Sequence, residues 1–94
     1  MSYIPSELVT LGIKFKERRV GFHPFMSRVE DECKTIDKSE NDKRKWDIAI
    51  SLRGFLDTIL DSSKLDLNAE QEKRVIKLRG ILNKAVLESK VMNF

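Results

Sequence analysis

Two groups of basic side chains are the part of this sequence that could bind an anion. The first group follows an apolar segment near the N-terminus and consists of Lys14, Lys16, Arg18 and Arg19. The second group begins a longer apolar segment and consists of Lys43, Arg44 and Lys45. Such side chains can neutralise the phosphates of RNA, DNA or a nucleotide. Acidic residues are interleaved with both groups, so a solvated helix surface is the competing interpretation.

Aromatic side chains provide the other candidate contacts. Phe15, Phe22 and Phe25 fall within eleven residues around a turn. They can fill the gap between helices, or form an exposed patch that binds a partner or stacks on a base. As anchors for a protein partner we single out Phe22, Phe25, Trp46 and Phe55, because large rings dominate the energy of protein interfaces.

Catalysis is not expected from this sequence. An activated acid, base or nucleophile needs a partner that orients it, and the single histidine, His23, stands before a proline in the turn. The single cysteine, Cys33, lies at an apolar helical position and is expected in the core. One histidine and one cysteine cannot make a structural zinc site, so we expect neither an enzyme nor a metal or other cofactor.

The composition predicts a helical protein. The chain has 94 residues, a net charge of +3, and apolar and charged fractions of 40% and 35%. These values favour one helical domain over residues 1–94, in which residues 1–22 can be peripheral. No segment is long and apolar enough to cross a membrane, and residues 1–5 lack the charged and apolar blocks typical of a signal peptide. The expected location is the cytoplasm, or the host cytoplasm if the protein is viral.

Helical spacing and capping residues predict the elements. Helices are expected over residues 5–20, 24–37, 42–61 and 69–92, with a turn at residues 20–25. The alternation at residues 13–16 would also suit a strand, but a lone strand has nothing to pair with. Ser39 or Asn41 can cap the third helix, and Asn68 with Gln71 has the form of a capping box before the fourth.

The last two helices share a pattern and are expected to form an antiparallel hairpin. Residues 52–57 read Leu-Arg-Gly-Phe-Leu-Asp, and residues 78–83 read Leu-Arg-Gly-Ile-Leu-Asn, 26 residues later. Glycine inside a helix costs roughly 0.5–1 kcal/mol, so Gly54 and Gly80 are expected at close helix packing. With a turn near residue 65, two residues of the hairpin would lie at the same height when their numbers add to about 130. The sequence thus predicts an all-α bundle of three to four helices built on this hairpin.

A further likeness concerns the turn. The chain resembles small phage-encoded helical proteins that sequester cyclic nucleotides. The resemblance lies in Phe22, His23 and Pro24 before a helix, which a second amphipathic helix follows. The resemblance covers three residues and a helix pattern, and this chain has an additional long C-terminal helix. It carries over no site residue.

The function that we expect is recognition without catalysis. The leading hypothesis is a small helical adaptor, inhibitor or regulator of phage or plasmid type, which acts by docking to a protein or by self-association. The alternative is binding of RNA, DNA or a nucleotide by the two basic groups.

Overall fold

The computed structural model describes residues 4–38 and 41–93, without the side chains of residue 42 and of residues 90–93. This part of the chain folds into four helices and has no strand. The helices are α1 (Ser6–Lys16), α2 (Phe22–Lys38), α3 (Asp42–Ser63) and α4 (Ala69–Asn93). The predicted all-α bundle is confirmed.

The helices α3 and α4 form the predicted antiparallel hairpin. α3 is the central helix, because it packs against each of the other three. A helix that packs on more than one side needs a broad apolar face, and α3 has one, with Ile48, Ala49, Leu52, Leu56 and Ile59 buried. Steps of three and four residues along α4 predict a seam against another helix, made of Val75, Leu78, Leu82, Ala85, Ser89 and Met92. Of these, Val75, Leu78, Leu82 and Ser89 are buried, and Ala85 is half-buried. The remaining seam residue, Met92, lies outside the described side chains.

Side-chain caps fix the first residues of α3 and α4. Asn41 Oδ1 accepts hydrogen bonds from the N–H groups of residues 43 and 44 at 2.9 and 3.2 Å. The other predicted cap, Ser39, lies outside the described residues. The capping box is present as predicted: Gln71 N donates to Asn68 Oδ1 at 2.9 Å, and Asn68 N donates to Gln71 Oε1 at 3.0 Å.

Two contacts between the helices define the register of the hairpin. Arg53 Nη1 donates to Asn83 Oδ1 at 3.1 Å, and Arg79 Nε donates to Asp57 Oδ1 at 2.8 Å. In both pairs the residue numbers add to 136 rather than to the predicted value of about 130. The register differs because α3 extends to Ser63, beyond its predicted end at residue 61, and because helical side chains lean toward the N-terminus of their own helix.

The glycines of the hairpin do not lie at close packing. Gly54 and Gly80 are exposed, and a Cβ atom at either position would have no atom within 4 Å. The predicted packing role of both glycines is therefore wrong. The close approach occurs at Gly12 of α1, where a Cβ would lie 2.8 Å from Phe55 Cζ and 3.1 Å from Ile59 Cδ1.

The first helix belongs to the core and is not peripheral. Leu8 is fully buried and Phe15 is 3% exposed. Because residues 6–16 form an α-helix, the helix prediction for this segment is confirmed over the strand alternative. α1 ends at Lys16, earlier than predicted, because Arg18 adopts a left-handed conformation with φ of 62°.

The second helix begins at Phe22, inside the predicted turn. Pro24 is its third residue, where a backbone N–H has no acceptor within the helix, so proline loses nothing there. The connection between α1 and α2 comprises residues 17–21 and so lies earlier in the chain than the predicted turn at residues 20–25. Side chains of all four helices meet in one hydrophobic core.

Candidate functional site

A groove runs between α2 and α4, which lie side by side and point in the same direction. Its first part has a volume of about 480 Å³ and begins at Glu30 and Arg74. A second part, of about 260 Å³, continues it to Ala85 and Glu88. At 1.5 Å per helical residue, the α4 side from residue 74 to 88 is about 21 Å long. The α2 side, from residue 30 to 37, is about 10 Å long, so both helices wall the α2–α4 groove over about two helical turns.

A polar network closes one end of the α2–α4 groove. Arg74 Nε and Nη2 donate to the two carboxylate oxygens of Glu30 at 2.8 and 2.7 Å. Arg74 Nη2 also reaches Ser27 Oγ at 3.1 Å, and Nη1 lies 2.8 Å from His23 Nδ1. Since the guanidinium can only donate, His23 Nδ1 is the acceptor in this contact. The network binds α4 to the first half of α2.

The charges of this network stabilise each other. The hydrogen bond from Arg74 lowers the pKa of Glu30 below its ordinary value, against the opposing effect of burial. The same bond raises the pKa of the Arg74 guanidinium. A bidentate pair of this kind fixes geometry as well as adding energy. Both groups therefore stay ionised at neutral pH and act as a clamp between the helices.

The floor of the α2–α4 groove is apolar. Cys33 is 8% exposed and Leu78 is 2% exposed, whereas Ile81 is 48% exposed. Burial, together with the nearby carboxylates of Glu30 and Glu32, raises the pKa of the Cys33 thiol to about 12. The thiol is therefore neutral and acts as a small apolar group rather than a nucleophile. Ile81 leaves the groove a contact surface that its own chain does not cover.

Charged side chains of both signs form the rim of the α2–α4 groove. Lys34 pairs with Asp31 at 3.3 Å and Lys84 lies 3.9 Å from Glu88. Within residues 4–38 and 41–93, Asp37 and Lys77 make no ion pair. They are available to groups of opposite charge on a bound molecule.

The predicted aromatic anchors belong mainly to the core. Phe25 is fully buried, with its ring stacked on Phe15 at a centroid distance of 4.6 Å and tilted toward Phe55 at 6.2 Å. Phe22 lies 6.3 Å from Phe15 and, like Phe55, is half-buried against the core. The role of Phe25 as a partner-binding anchor is therefore wrong, and the alternative, that the rings fill the gap between helices, describes it.

Trp46 is also half-buried against the core. Its indole Nε1 is buried and has no hydrogen-bond acceptor in the described part of the chain. Together with Phe22 and Phe55 it leaves only part of a ring at the surface. None of these three rings lines the α2–α4 groove.

Part of the first basic group lies beside an aromatic ring, as the nucleotide alternative requires. Arg18, Arg19 and Phe22 line a cleft of about 420 Å³ between the α1–α2 turn and the α3–α4 connection. Arg19 lies 3.6 Å from Glu17, and Asp66 also lines the cleft. Lys14 and Lys16 are exposed in the last turn of α1 and do not line it.

The second basic group is separate from the first. Lys43 and Arg44 are exposed and Lys45 is half-buried in the first turn of α3, whereas the cleft adjoins the far end of that helix. The length of α3 places the two groups roughly 30 Å apart. The structure therefore does not join them into one basic surface.

Sequence reasoning missed the residues of the α2–α4 groove. The signal was a second stripe on α4, beside the predicted seam, which contains Arg74, Lys77, Ile81 and Glu88. Ile81 is an apolar residue outside the seam and therefore indicates a second contact surface. The sequence of α4 alone could not predict that α2 lies beside this stripe.

The described residues hold no cluster of three or more His, Cys, Asp or Glu side chains that could bind a metal ion. In that same part of the chain, none of the helices has the length and apolar character needed to span a membrane. Comparison of the chain with protein-family models, with curated proteins and with solved structures finds no match.

Proposed function

We propose that this chain is a non-enzymatic interaction protein that binds an amphipathic helix of a partner protein in the α2–α4 groove. The observation that carries the proposal is the apolar floor, where Ile81 is half exposed between two helices. A groove between parallel helices accepts the apolar face of a third helix with anchors at positions i, i+3 or i+4, and i+7. α4 offers such an occupant about four helical turns, of which α2 walls about two.

The charges on the rim specify the occupant further. Lys77 and Asp37 lie on opposite sides of the groove, on α4 and α2. A partner helix that carries an acidic residue beside Lys77 and a basic residue beside Asp37 would form an ion pair with each of them. Such rim charges affect specificity and the rate of association more than affinity.

The proposal is tested by selecting ligands from a displayed library of helical 16-residue peptides against the full chain. We expect amphipathic peptides to be enriched, and their binding to fall at least tenfold, about 1.4 kcal/mol, when Ile81→Glu is introduced. The matched control is Ile13→Glu on the exposed side of α1, where Ile13 is 49% exposed. Lys77→Glu should change the selected charge from acidic to basic. Peptides that bind Ile81→Glu as well as they bind the unmodified chain would disprove the groove as the docking site.

A nucleotide is the second candidate ligand, at the cleft that contains Arg18, Arg19 and Phe22. Two guanidinium groups could bind phosphates there, and the ring edge offers an apolar contact for a base. Fluorescence titration with a labelled nucleoside triphosphate over a salt series tests this function. Arg18→Ala should weaken binding and Lys43→Ala, at the other end of α3, should not. Equal effects of the two variants would remove the cleft from consideration.

A further inference from the structure

The cleft between the α1–α2 turn and the α3–α4 connection has charges of opposite sign on its two sides. Arg18 and Arg19 belong to the turn, and Asp66 belongs to the connection. Within residues 4–38 and 41–93, Arg18 and Asp66 make no ion pair with each other or with another side chain. Arg19 lies 3.6 Å from Glu17 in an exposed pair, which is weak enough in water to exchange for another anion.

The lining of the cleft also includes an amide donor. Gln71 lines it from the first turn of α4. The Oε1 atom of Gln71 accepts from Asn68 N at 3.0 Å in the capping box, and its Nε2 has no acceptor in the described part of the chain. The N–H groups of Nε2 therefore remain available to a bound molecule. Asp66 and Gln71 together offer one acceptor group and one donor group.

Apolar side chains complete the cleft. Phe22 belongs to the same side as the arginines, and Leu65 and Leu67 flank Asp66 in the connection. All three are half-buried, so each leaves part of its apolar surface to a ligand. The volume of about 420 Å³ lies within the range of roughly 300–1,000 Å³ that is usual for small-molecule sites. Such surfaces suit the flat face of a nucleobase.

We infer that this cleft binds a guanine nucleotide in preference to other nucleotides. The base edge contacts Asp66 and Gln71, and the phosphates contact Arg18 and Arg19. A carboxylate accepts hydrogen bonds and donates none. Guanine presents two adjacent donors, N1–H and the 2-amino group, to the two oxygens of Asp66, and its O6 accepts from the Gln71 amide. This inference rests on the nucleotide function proposed for the same cleft.

The other bases match the carboxylate of Asp66 less well. Adenine and cytosine each present one amino group, and the ring nitrogen beside it is an acceptor that the carboxylate repels. The single N3–H of uracil lies between two carbonyl oxygens, which are acceptors as well. Each of these bases can therefore donate one hydrogen bond to Asp66, whereas guanine donates two. Since hydrogen bonds to charged groups are the stronger ones, the difference should be measurable as affinity.

Isothermal titration calorimetry of the full chain with GTP, ATP, CTP and UTP tests the preference. GTP should bind at least about fivefold more tightly than each of the others. Asp66→Asn should reduce this preference to about twofold or less, because the amide replaces one acceptor oxygen with a donor. The same variant should gain affinity for xanthosine triphosphate, in which an oxygen replaces the 2-amino group of guanine. The matched control, Asp61→Asn at an exposed position outside the cleft, should keep the preference for GTP.

The results distinguish failure of this inference from failure of the nucleotide function. Equal binding of the four triphosphates, all weakened by Arg18→Ala, leaves the function intact and overturns the inference. A GTP preference that persists in Asp66→Asn, or no gain for xanthosine triphosphate, overturns it as well. If no triphosphate binds at up to about 1 mM, or if Arg18→Ala leaves GTP binding intact, both are overturned. Circular dichroism of each variant shows whether the helices are retained.

Discussion

The structural role of each helical glycine in this protein depends on its neighbours in the fold. Three glycines lie inside helices, but only Gly12 is pressed against another helix, through Phe55 and Ile59. Gly54 and Gly80 face outward, although their shared pattern drew attention to them. The repeated pattern correctly predicted that α3 and α4 pair with each other. The close packing that it predicted at Gly54 and Gly80 is absent.

The cysteine gives a prediction at this scale. Because burial raises the pKa of Cys33 to about 12, the folded protein should react at pH 8 at least a hundredfold more slowly with a thiol reagent than the unfolded protein does. The unfolded thiol ionises near its ordinary pKa of 9.0, so the free energy of unfolding should decrease as pH rises from about 9 toward about 12. Absorbance assays with and without denaturant measure the first effect. Rapid modification of the folded chain would contradict the burial.

At the scale of elements, the weakest link between helices depends on polar contacts. α2 and α4 enclose a groove instead of packing closely along their length, and the Arg74 network with Glu30, Ser27 and His23 holds them together at one end. α3 and α4, in contrast, meet along an apolar seam. The geometry of the proposed docking groove therefore depends on a few hydrogen bonds.

Removing the charge of Glu30 tests this dependence. Glu30→Gln should lower the free energy of unfolding at pH 7 by about 1 kcal/mol, a small value because Glu30 is 35% exposed and solvent screens the pair. Since the pKa of Glu30 is lowered, its contribution is present above the ordinary carboxyl pKa of 4.5 and is lost as pH falls through the lower folded value. Urea denaturation at pH 7 and at about pH 2 measures both effects.

The matched control for this prediction is Asp31→Asn, which removes an exposed ion pair with Lys34 on the same helix. It should cost less than 0.5 kcal/mol or so. Equal costs for the two variants at pH 7 would show that the Arg74 network does not hold α2 to α4.

At the scale of the whole molecule, aromatic rings join the N-terminal helices to the hairpin. Phe25 of α2 lies between Phe15 of α1 and Phe55 of α3, so this ring links its own helix to two others. A surface anchor could be removed with little effect on folding. Removing a ring at the centre of the core should destabilise the fold strongly, since a domain of this size is only marginally stable.

Phe25→Ala should therefore lower the free energy of unfolding by about 3–5 kcal/mol, through lost burial and the cavity that remains. Phe22→Ala, at a half-buried ring of the same cluster, is the control and should cost clearly less. Denaturation midpoints of the two variants, at one fixed protein concentration, measure both losses. If Phe25→Ala lowers the free energy of unfolding no more than Phe22→Ala does, Phe25 is not part of the core.

The sequence by itself determined the helices, the capping box at Asn68, the choice of Ser39 or Asn41 as the cap of α3, and the pairing of α3 with α4. These features depend on spacings of three or four residues and on side chains that bond to their own backbone, so the information is local. Only the tertiary structure decided the register of the hairpin, the close approach at Gly12 and the groove between α2 and α4. Each of these depends on which helix lies beside which and at what height, and residues far apart in the chain, such as Glu30 and Arg74, carry no local sign that they meet.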